Sequence, residues 1–483
     1  MTDYSSTAIP RPVQVTTVPA QLEPDAIGVA QDTIIGLASS GPAATIAVTL
    51  AGLAAAAAYG SGPVIILCGI PMLVLANTYR RLNLWNANCG ASFEWVGRAI
   101  NPYLGFIVGW LMLAGCLTGT ISVVVVLSPA VLDVFGANVT SPWPNILIST
   151  ALILVMAAIA VLGIRITAHT QVAMAVIEYV ILIGFSVWAL LAVLHHHAGT
   201  FPITKGWLSL NGINGKGNLA QGLLIAVFMY TGWDATVYVN EEVTHRRVNP
   251  GRAALFAVAL LILLYALPQV AMQGISSPAQ LQAHSSSALV FVAQVLGGGG
   301  WAKVMAFGLV LSVIASVGTG IVITSRIAYG MASHQVLPPV FANVSPRHRT
   351  PTMGTIIIAA ILVAATWAYL LSSSIATVFT DVVSVTGLLF CAFYLFTALS
   401  AVIYYRRRIF SNAGNALMDG LLPLGAAVFL GWVMAKSLQT APASEEWSIV
   451  GILAVGLLLM LVARFGLRSP FFRIAMESAS KEG

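Results

Sequence analysis

The chain has 483 residues, of which 58% are hydrophobic and only 8% are charged, and its mean hydropathy is +0.90. Soluble globular proteins carry about 25% charged residues, so this composition excludes a soluble globule and indicates a polytopic membrane protein. The formal net charge of +6 does not favour a nucleic-acid partner, because arginines placed between apolar segments are typical of a topology signal.

The N-terminal region, residues 1–25, is polar and rich in proline and threonine. It lacks the basic start and apolar core of a signal peptide. We therefore expect this region to be a disordered cytoplasmic tail.

Twelve apolar segments follow, each near the roughly 20 residues that span a hydrocarbon core about 30 Å thick. They are predicted at 33–57, 62–79, 103–132, 145–163, 170–194, 218–242, 253–273, 301–330, 354–372, 376–404, 419–437 and 447–466. If both termini are placed in the cytoplasm, the only lysines or arginines on the outer side are Lys205, Lys216, Lys303 and Lys436. This agrees with the rule that basic residues concentrate in cytoplasmic loops. This predicts a multi-pass plasma-membrane protein with both termini cytoplasmic.

The first segment contains Ser39-Ser40-Gly41-Pro42, which predicts an interrupted helix. Inside a bilayer each unpaired backbone group costs several kcal/mol, so such a break persists only where protein or a water-filled cavity satisfies it. A helix that restarts beyond the break presents N–H groups and the positive end of its dipole, which suit a carboxylate. We predict a substrate site at Ala38, Ser39, Ser40 and Gly41; the alternative is a proline kink without a ligand.

The sixth segment contains a second break, formed by Tyr230-Thr231-Gly232-Trp233-Asp234. Gly232 permits an unwound backbone, whose carbonyl groups can accept from an ammonium group. Tyr230 and Trp233 are assigned to the substrate site, Trp233 for its aromatic face. Asp234 could bind the amine directly, although we favour the interpretation that it caps the restarting helix.

The two breaks are separated by enough chain for five spans and their loops, which predicts two five-helix repeats at about 26–197 and 215–408. An odd number of spans per repeat gives the second repeat the inverted orientation. Two accessory helices are expected within 409–467, followed by a cytoplasmic tail at 468–483. The predicted fold class is therefore an all-α membrane protein with discontinuous helices one and six.

Glu178 is the clearest ionisable residue deep within an apolar segment. A carboxylate kept there usually marks an ion or proton path, so we assign Glu178 to proton coupling; the alternative is a neutral, hydrogen-bonded residue that fixes helix five. Ser312 and Ser316, with Thr319, share one face of segment eight and could complete a small cation or hydroxyl site, although back-bonding to helix carbonyls is the favoured interpretation.

Glu241 and Glu242 end the sixth segment just before His245, Arg246 and Arg247. We predict that these charges pair with one another as a gate at the cytoplasmic mouth. Neither metal-ligand spacing nor a nucleophile–base set is present, so no catalytic residue, metal or cofactor is predicted and a membrane enzyme is disfavoured.

Three ordered motifs resemble the amino acid/polyamine/organocation (APC) superfamily. The first is Gly232-Trp233-Asp234 followed by Glu241-Glu242 and Asn249-Pro250-Gly251-Arg252; the second is the run 326–332 with Leu337-Pro338 and Thr350-Pro351; the third is the run 101–106 with Gly109-Trp110. The resemblance covers about residues 26–408. It implies the leucine-transporter-type inverted-repeat fold, alternating access, and amino-acid substrates whose carboxylate meets the first break and whose amine meets the second.

Two departures from the superfamily pattern stand out. Ser39-Ser40-Gly41 replaces the Gly-Ser-Gly or Gly-Thr-Gly of many members, and Glu178 lies where some sodium-independent relatives have a lysine.

We expect a secondary transporter of a neutral amino acid in the lipid bilayer, coupled to a proton rather than to sodium. The alternatives are a permease for a cationic amine or polyamine held by Glu178 and Asp234, and a nutrient sensor without flux.

Overall fold

The computed structural model describes residues 21–125, 131, 142–197, 199–210, 213, 218–284, 288–372, 375–474 and 476–477; side chains between 372 and 381 are also outside the description. Residues 1–20 of the predicted N-terminal tail and 478–483 of the predicted C-terminal tail lie outside the described residues. The described chain is built from α-helices joined by short turns.

The α-helices are α1 (Val29–Ser40), α2 (Pro42–Ala57), α3 (Ser61–Trp85), α4 (Ser92–Ala99), α5 (Pro102–Val124), α6 (Pro142–Leu162), α7 (Ile164–Leu194), α8 (Leu219–Met229), α9 (Ala235–Tyr238), α10 (Asn249–Gln273), α11 (Pro278–Ala283), α12 (Ala288–Ser333), α13 (Thr352–Ser372), α14 (Ile375–Tyr404), α15 (Ala413–Asn415), α16 (Leu422–Leu438) and α17 (Ala443–Leu461). Gly298, at φ 77°, interrupts α12 near its start.

Within the described residues, ten helical stretches are long and apolar enough to cross a membrane. One of them, Val29–Trp85, contains the first two predicted segments, and the sixth predicted segment is divided into shorter helices. The all-helical membrane fold class is therefore confirmed. The inverted relation of the two repeats stays a prediction.

Local sequence signals set several helix starts. Asn101 accepts a hydrogen bond from the Tyr103 backbone N–H at 2.8 Å, and Pro102 occupies the first helical position of α5. Proline fits there because its φ is already helical and its missing N–H has no intrahelical partner. The long helices need no such help in their interiors, since a helix satisfies its own backbone groups in lipid.

The helices differ in how much protein covers them. In the most apolar window of each helix, 78% of the residues are buried in α12 and 72% in α5, but only 11% in α17. The centre of the bundle is therefore formed by α12, α5 and α14, whose window is also 72% buried, together with the interrupted helices, while α17 lies at the periphery.

Both described ends of the chain lie at one end of the bundle, which we term the termini side. The Ala26 N–H donates to the Glu242 carbonyl at 2.8 Å, and the Glu477 N–H donates to the Arg98 carbonyl at 2.8 Å. Leu22 is buried and Glu23 pairs with Arg165. The predicted disordered tail 1–25 thus extended too far, because Leu22 and Glu23 already contact the bundle.

A C-terminal segment, of which residues 469–474 and 476–477 are described, folds back against α4 and the end of α12. The Phe471 ring stacks on Phe93 with centroids 4.3 Å apart, and Ser469 Oγ donates to the His334 carbonyl at 2.7 Å. The Arg98 guanidinium holds Glu477 at 2.8 Å. This segment therefore joins the α3–α5 link to the end of α12.

Glu94 of α4 forms the polar centre of this contact. Its carboxylate lies 2.5 Å from His334 Nε2 and accepts from Asn86 and Arg98. Burial works against ionisation, but the hydrogen bond and charge of His334, with Asn86 and Arg98, outweigh it and lower the pKa of Glu94. The carboxylate is thus held ionised where α4 meets α12.

Replacing Phe471 by Ala should destabilise the protein. The ring is 1% exposed, and removing a buried phenylalanine ring costs about 3–5 kcal/mol. The midpoint of thermal unfolding in detergent should fall in Phe471→Ala and stay unchanged in Phe410→Ala, whose ring is 90% exposed. Equal midpoints for the two variants would contradict this role of the segment.

Candidate functional site

The first interruption is narrower than the sequence predicts. Helix α1 continues through Ser39 and Ser40, and only Gly41 leaves the right-handed helical region, with φ 48° and ψ 73°. Pro42 then occupies the first position of α2, as predicted. A side chain at Gly41 would overlap Ser316 Oγ, so both its backbone conformation and its surroundings require glycine.

The second interruption spans the residues between α8 and α9. Gly232 has φ 104°, and a Cβ atom there would lie 2.7 Å from Ser40 N and 2.8 Å from Ser39 C. The structure therefore contains both predicted breaks, and it brings their backbones into direct contact.

A cavity lies beside this contact, between α1–α2, α5, α8, α12 and α14. Its lining residues are Ser39, Ser40, Thr45, Gly115, Cys116, Gly119, Thr120, Val123, Phe228, Thr231, Gly232, Asp234, Ser316, Gly320, Ile323 and Phe390. Of the predicted site residues, Ser39, Ser40, Gly232, Asp234 and Ser316 thus line the cavity.

Sequence reasoning did not assign the α5 and α14 walls of this cavity. Gly115 and Gly119 lie one helical turn apart on α5, and Phe390 of α14 packs close to the Gly115 backbone. The four-residue spacing of these glycines was a usable signal, because a helix face without side chains leaves room for a ligand. Phe390 had no such signal, since one phenylalanine in an apolar helix resembles any other.

Asp234 does not cap the restarting helix, so the favoured sequence interpretation is wrong. Its side chain makes no capping hydrogen bond; instead Tyr238 Oη donates to Oδ2 at 2.5 Å and Tyr394 Oη donates to Oδ1 at 2.9 Å. Asp234 already has right-handed helical φ and ψ angles, whereas a residue whose side chain caps a helix usually has an extended backbone conformation. The carboxylate is thereby fixed at the cavity wall.

Tyr230 and Trp233 lie behind the cavity and are absent from its lining. Trp233 is fully buried and packs on Tyr79 and Tyr394, with ring centroids 5.0 Å and 5.6 Å apart. Tyr230 Oη donates to the Ile65 carbonyl at 3.1 Å. Both side chains therefore support the second break, and Ala38, which is fully buried in α1, is also absent from the lining.

Glu178 of α7 reaches the start of α2. Its Oε1 accepts from the Ala43 N–H at 2.9 Å and from Ser312 Oγ at 2.7 Å, while the Ala44 N–H donates to Ser312 Oγ at 3.1 Å. The N–H groups predicted to be free at the first break are therefore already bonded within the protein. Among the described residues, Glu178 Oε2 has no hydrogen-bond partner.

The other hydroxyl groups of α12 bond to their own helix. Ser316 Oγ donates to the Ser312 carbonyl at 2.9 Å, and Thr319 Oγ1 donates to the Ala315 carbonyl at 3.0 Å. This is the back-bonding that the sequence analysis favoured. Within the described part of the chain, no three His, Cys, Asp or Glu side chains are grouped so as to hold a metal ion.

The predicted charge pairing after the sixth segment is wrong for Glu242, whereas Glu241 does interact electrostatically with the predicted partner Arg246. Glu242 pairs with Arg326 of α12 through two hydrogen bonds of 3.1 Å, and both side chains are fully buried. Glu241 accepts from the Cys89 N–H at 3.1 Å. Burial explains the difference: Glu242 enters the bundle, whereas the predicted partners His245, Arg246 and Arg247 are exposed.

Backbone hydrogen bonds reinforce closure at the termini side. The Ile27 N–H donates to the Glu242 carbonyl at 3.2 Å, and the Thr244 N–H donates to the Ile27 carbonyl at 2.9 Å. Asn240 Nδ2 donates to Asn83 Oδ1 at 2.9 Å. The start of α1 is thus joined to the chain that follows the second break.

An all-helical membrane bundle, with two broken helices in contact at a central cavity, has the architecture of a broken-helix membrane transporter. Residues 27–472 match the family described as amino acid permease. The chain therefore belongs to the amino acid permease family and is an APC superfamily permease.

Individual relatives match less of the sequence. The chain is 30% identical over 135 residues to the human Asc-type amino acid transporter 1 and to the human large neutral amino acids transporter small subunit 2, covering 28% of this chain and 25% of each relative. An uncharacterized amino acid permease of Bacillus subtilis (strain 168) is 22% identical over 311 residues, 60% of this chain and 65% of that protein. The chain thus matches only about a quarter of the length of the two human relatives.

The fold is also found in a solved structure. The manganese transporter of Eremococcus coleocola superimposes with a TM-score of 0.56 at 12% identity, covering 94% of this chain and 99% of that one. At this identity the likeness concerns the fold alone.

Gly232→Ala should impair the site. A side chain there is strained at positive φ, which costs about 1–3 kcal/mol, and it would collide with the Ser39–Ser40 backbone. Substrate binding should weaken at least about tenfold, measured by uptake and by equilibrium binding. Gly184→Ala, in open space on α7, is the matched control; equal activity of the two variants would remove the second break from the site.

Glu242→Gln should open the termini side. Removing one partner of a buried ion pair leaves an uncompensated charge and costs about 3–5 kcal/mol, so the chain around Cys89, whose thiol is buried, should become accessible. Alkylation of Cys89, followed by peptide mass spectrometry, should accelerate. The exposed Glu446→Gln serves as control, and an unchanged Cys89 rate in Glu242→Gln would contradict a gating role.

Proposed function

We propose that this permease is a secondary active transporter of an amino acid with a neutral side chain, and that it works by alternating access across the plasma membrane. In this proposal both termini are cytoplasmic, and the termini side is the cytoplasmic side. A proton, rather than sodium, is the coupling ion.

The observation that carries the proposal is the contact between the two breaks beside the cavity. Gly41 and Gly232 both have positive φ, and Gly232 touches the backbone just before Gly41. Unwound backbone at membrane depth is tolerated where it lines a cavity, and transporters use such positions to bind polar substrates. Closure at the termini side, through Glu242 and Arg326, supplies one of the two gates that alternating access requires.

The cavity lining supports a neutral side chain. Asp234 is the only acidic or basic residue among the described lining residues, and both of its oxygens already accept from tyrosines. Glu178 is not part of the lining, which removes one of the two carboxylates that a cationic amine or polyamine would use. The two human relatives are named as an amino acid transporter and a neutral amino acid transporter subunit, which agrees with this choice.

The arrangement around Glu178 supports proton coupling. The carboxyl group is 1% exposed in the centre of the membrane protein, where an ionised side chain is costly and gain of a proton relieves that cost. Ser312 Oγ donates to Glu178 Oε1 and Ser316 Oγ donates to the Ser312 carbonyl, so among the described residues Glu178 Oε2 is left without a partner and can accept a proton.

Uptake into proteoliposomes tests the proposal. With labelled amino acids supplied outside, an inward proton gradient should drive accumulation without sodium, and a panel of unlabelled amino acids and polyamines should identify neutral amino acids as the best competitors. Glu178→Gln should lose most of the gradient-driven accumulation, since Gln cannot take up the proton. Binding without accumulation would indicate a sensor, and competition by polyamines alone would refute the neutral substrate.

A further inference from the structure

The start of α2 is an anion site that the protein itself occupies. Glu178 Oε1 accepts from the Ala43 N–H at 2.9 Å and from Ser312 Oγ at 2.7 Å. α2 has 16 residues, so its first turn carries the positive end of a full helix dipole, equivalent to about half an elementary charge. The carboxylate of Glu178 is therefore held where a substrate's carboxylate would be stabilised.

The start of α2 has enough free hydrogen-bond donors for only one carboxylate. Pro42 has no N–H group, the Thr45 N–H bonds to the Gly41 carbonyl at 2.8 Å, and the Ala44 N–H is taken by Ser312. Only the Ala43 N–H and the Ser312 hydroxyl hold the carboxylate. Two carboxylates within a few ångströms in a poorly solvated interior disfavour one another's ionised form, so a second carboxylate can enter only when the first is neutral.

This site lies directly behind the cavity wall. A Cβ atom at Gly41 would lie 3.5 Å from Ser312 Oγ and would overlap Ser316 Oγ. Ser316, Ser40 and Thr45 line the cavity. The anion site and the cavity are thus separated by about one residue of the broken helix.

We propose that Glu178 is a built-in competitor for the substrate's carboxylate, and that protonation of Glu178 releases the start of α2 to the substrate. This inference rests on the proposed function and adds its coupling step. One proton from solution binds the Glu178 carboxylate, whose Oε2 is unpartnered among the described residues. The substrate carboxylate then accepts from the Ala43 N–H and Ser312, so the site carries one negative charge before and after the exchange.

The neighbouring titratable groups leave this step to Glu178. Tyr179 on the same helix and Tyr265 on α10 interact electrostatically with Glu178, and Tyr265 Oη donates to the Ser40 carbonyl at 3.2 Å. Tyrosine ordinarily titrates near pH 10. Between pH 5 and pH 8, therefore, neither tyrosine changes its charge.

The cavity wall also carries the carboxyl group of Asp234, whose two oxygens accept from Tyr238 and Tyr394. A pH response that comes from Asp234 would affect an amine as much as an amino acid, so probes with and without a carboxylate separate Asp234 from Glu178.

The test compares three probes that differ only at the carboxyl group. They are the proteinogenic amino acid that competes best in the panel above, its carboxamide and its decarboxylated amine. Binding of each to the purified full chain is measured at pH 5 and pH 8, in the wild type, in Glu178→Gln and in the control Glu446→Gln.

In the wild type and the control, the amino acid should bind at least about tenfold more tightly at pH 5 than at pH 8, while the amide and the amine show no such change. In Glu178→Gln the amino acid should bind equally at both pH values, as tightly as the wild type does at pH 5. Binding of the amine to this variant shows that it is folded. Ser312→Ala, which loosens Glu178, should reduce the pH dependence for the amino acid.

Two results would overturn the inference alone: equal pH dependence for the amino acid and its amine in the wild type, or unchanged pH dependence for the amino acid in Glu178→Gln. A different result concerns the proposed function. If no proteinogenic amino acid binds the wild type or Glu178→Gln at either pH, the protein is not an amino-acid transporter and the inference fails with that proposal.

Discussion

The structure depends on one constraint: a backbone that unwinds inside a membrane must have all its polar groups satisfied. At the first break the protein meets this constraint with side chains, since Glu178 and Ser312 accept from the amides of Ala43 and Ala44. At the second break short-range hydrogen bonds meet it: the Thr231 N–H donates to the Phe228 carbonyl and the Ala235 N–H to the Gly232 carbonyl, each at 2.9 Å, and Thr236 Oγ1 donates to the Trp233 carbonyl at 3.3 Å. Helices α7 and α12 therefore pack against the first break, because they supply Glu178 and Ser312.

The fold could be predicted because membrane helices leave strong signals. Apolar segments of spanning length and the two glycine-containing breaks were visible in the sequence, and the structure has helices and interruptions at those places. Gly41 and Gly232 were identifiable because few other residues accept their conformations. These signals are local, so they can be recognised in the sequence without knowing which helices are neighbours.

The site was harder to predict because its chemistry depends on contacts distant in sequence. Arg326 lies 84 residues from Glu242, so the nearer arginines were chosen as partners although they are exposed. The capping interpretation of Asp234 failed for a similar reason, since Tyr394, 160 residues away, supplies a donor that no local pattern reveals. Glu178 was recognised from its depth in an apolar segment alone. Its hydrogen bond to α2 could not be predicted, because it depends on how α7 packs against the first break.

The C-terminal segment has a practical consequence. Phe471 and Glu477 attach the last described residues to α4 and to the region of His334, so this part of the chain belongs to the folded body. A reporter or affinity tag fused in place of residues 469–477 would remove the contacts that join α4 to the end of α12. Fusion proteins for imaging or purification should therefore retain the native sequence through Glu477.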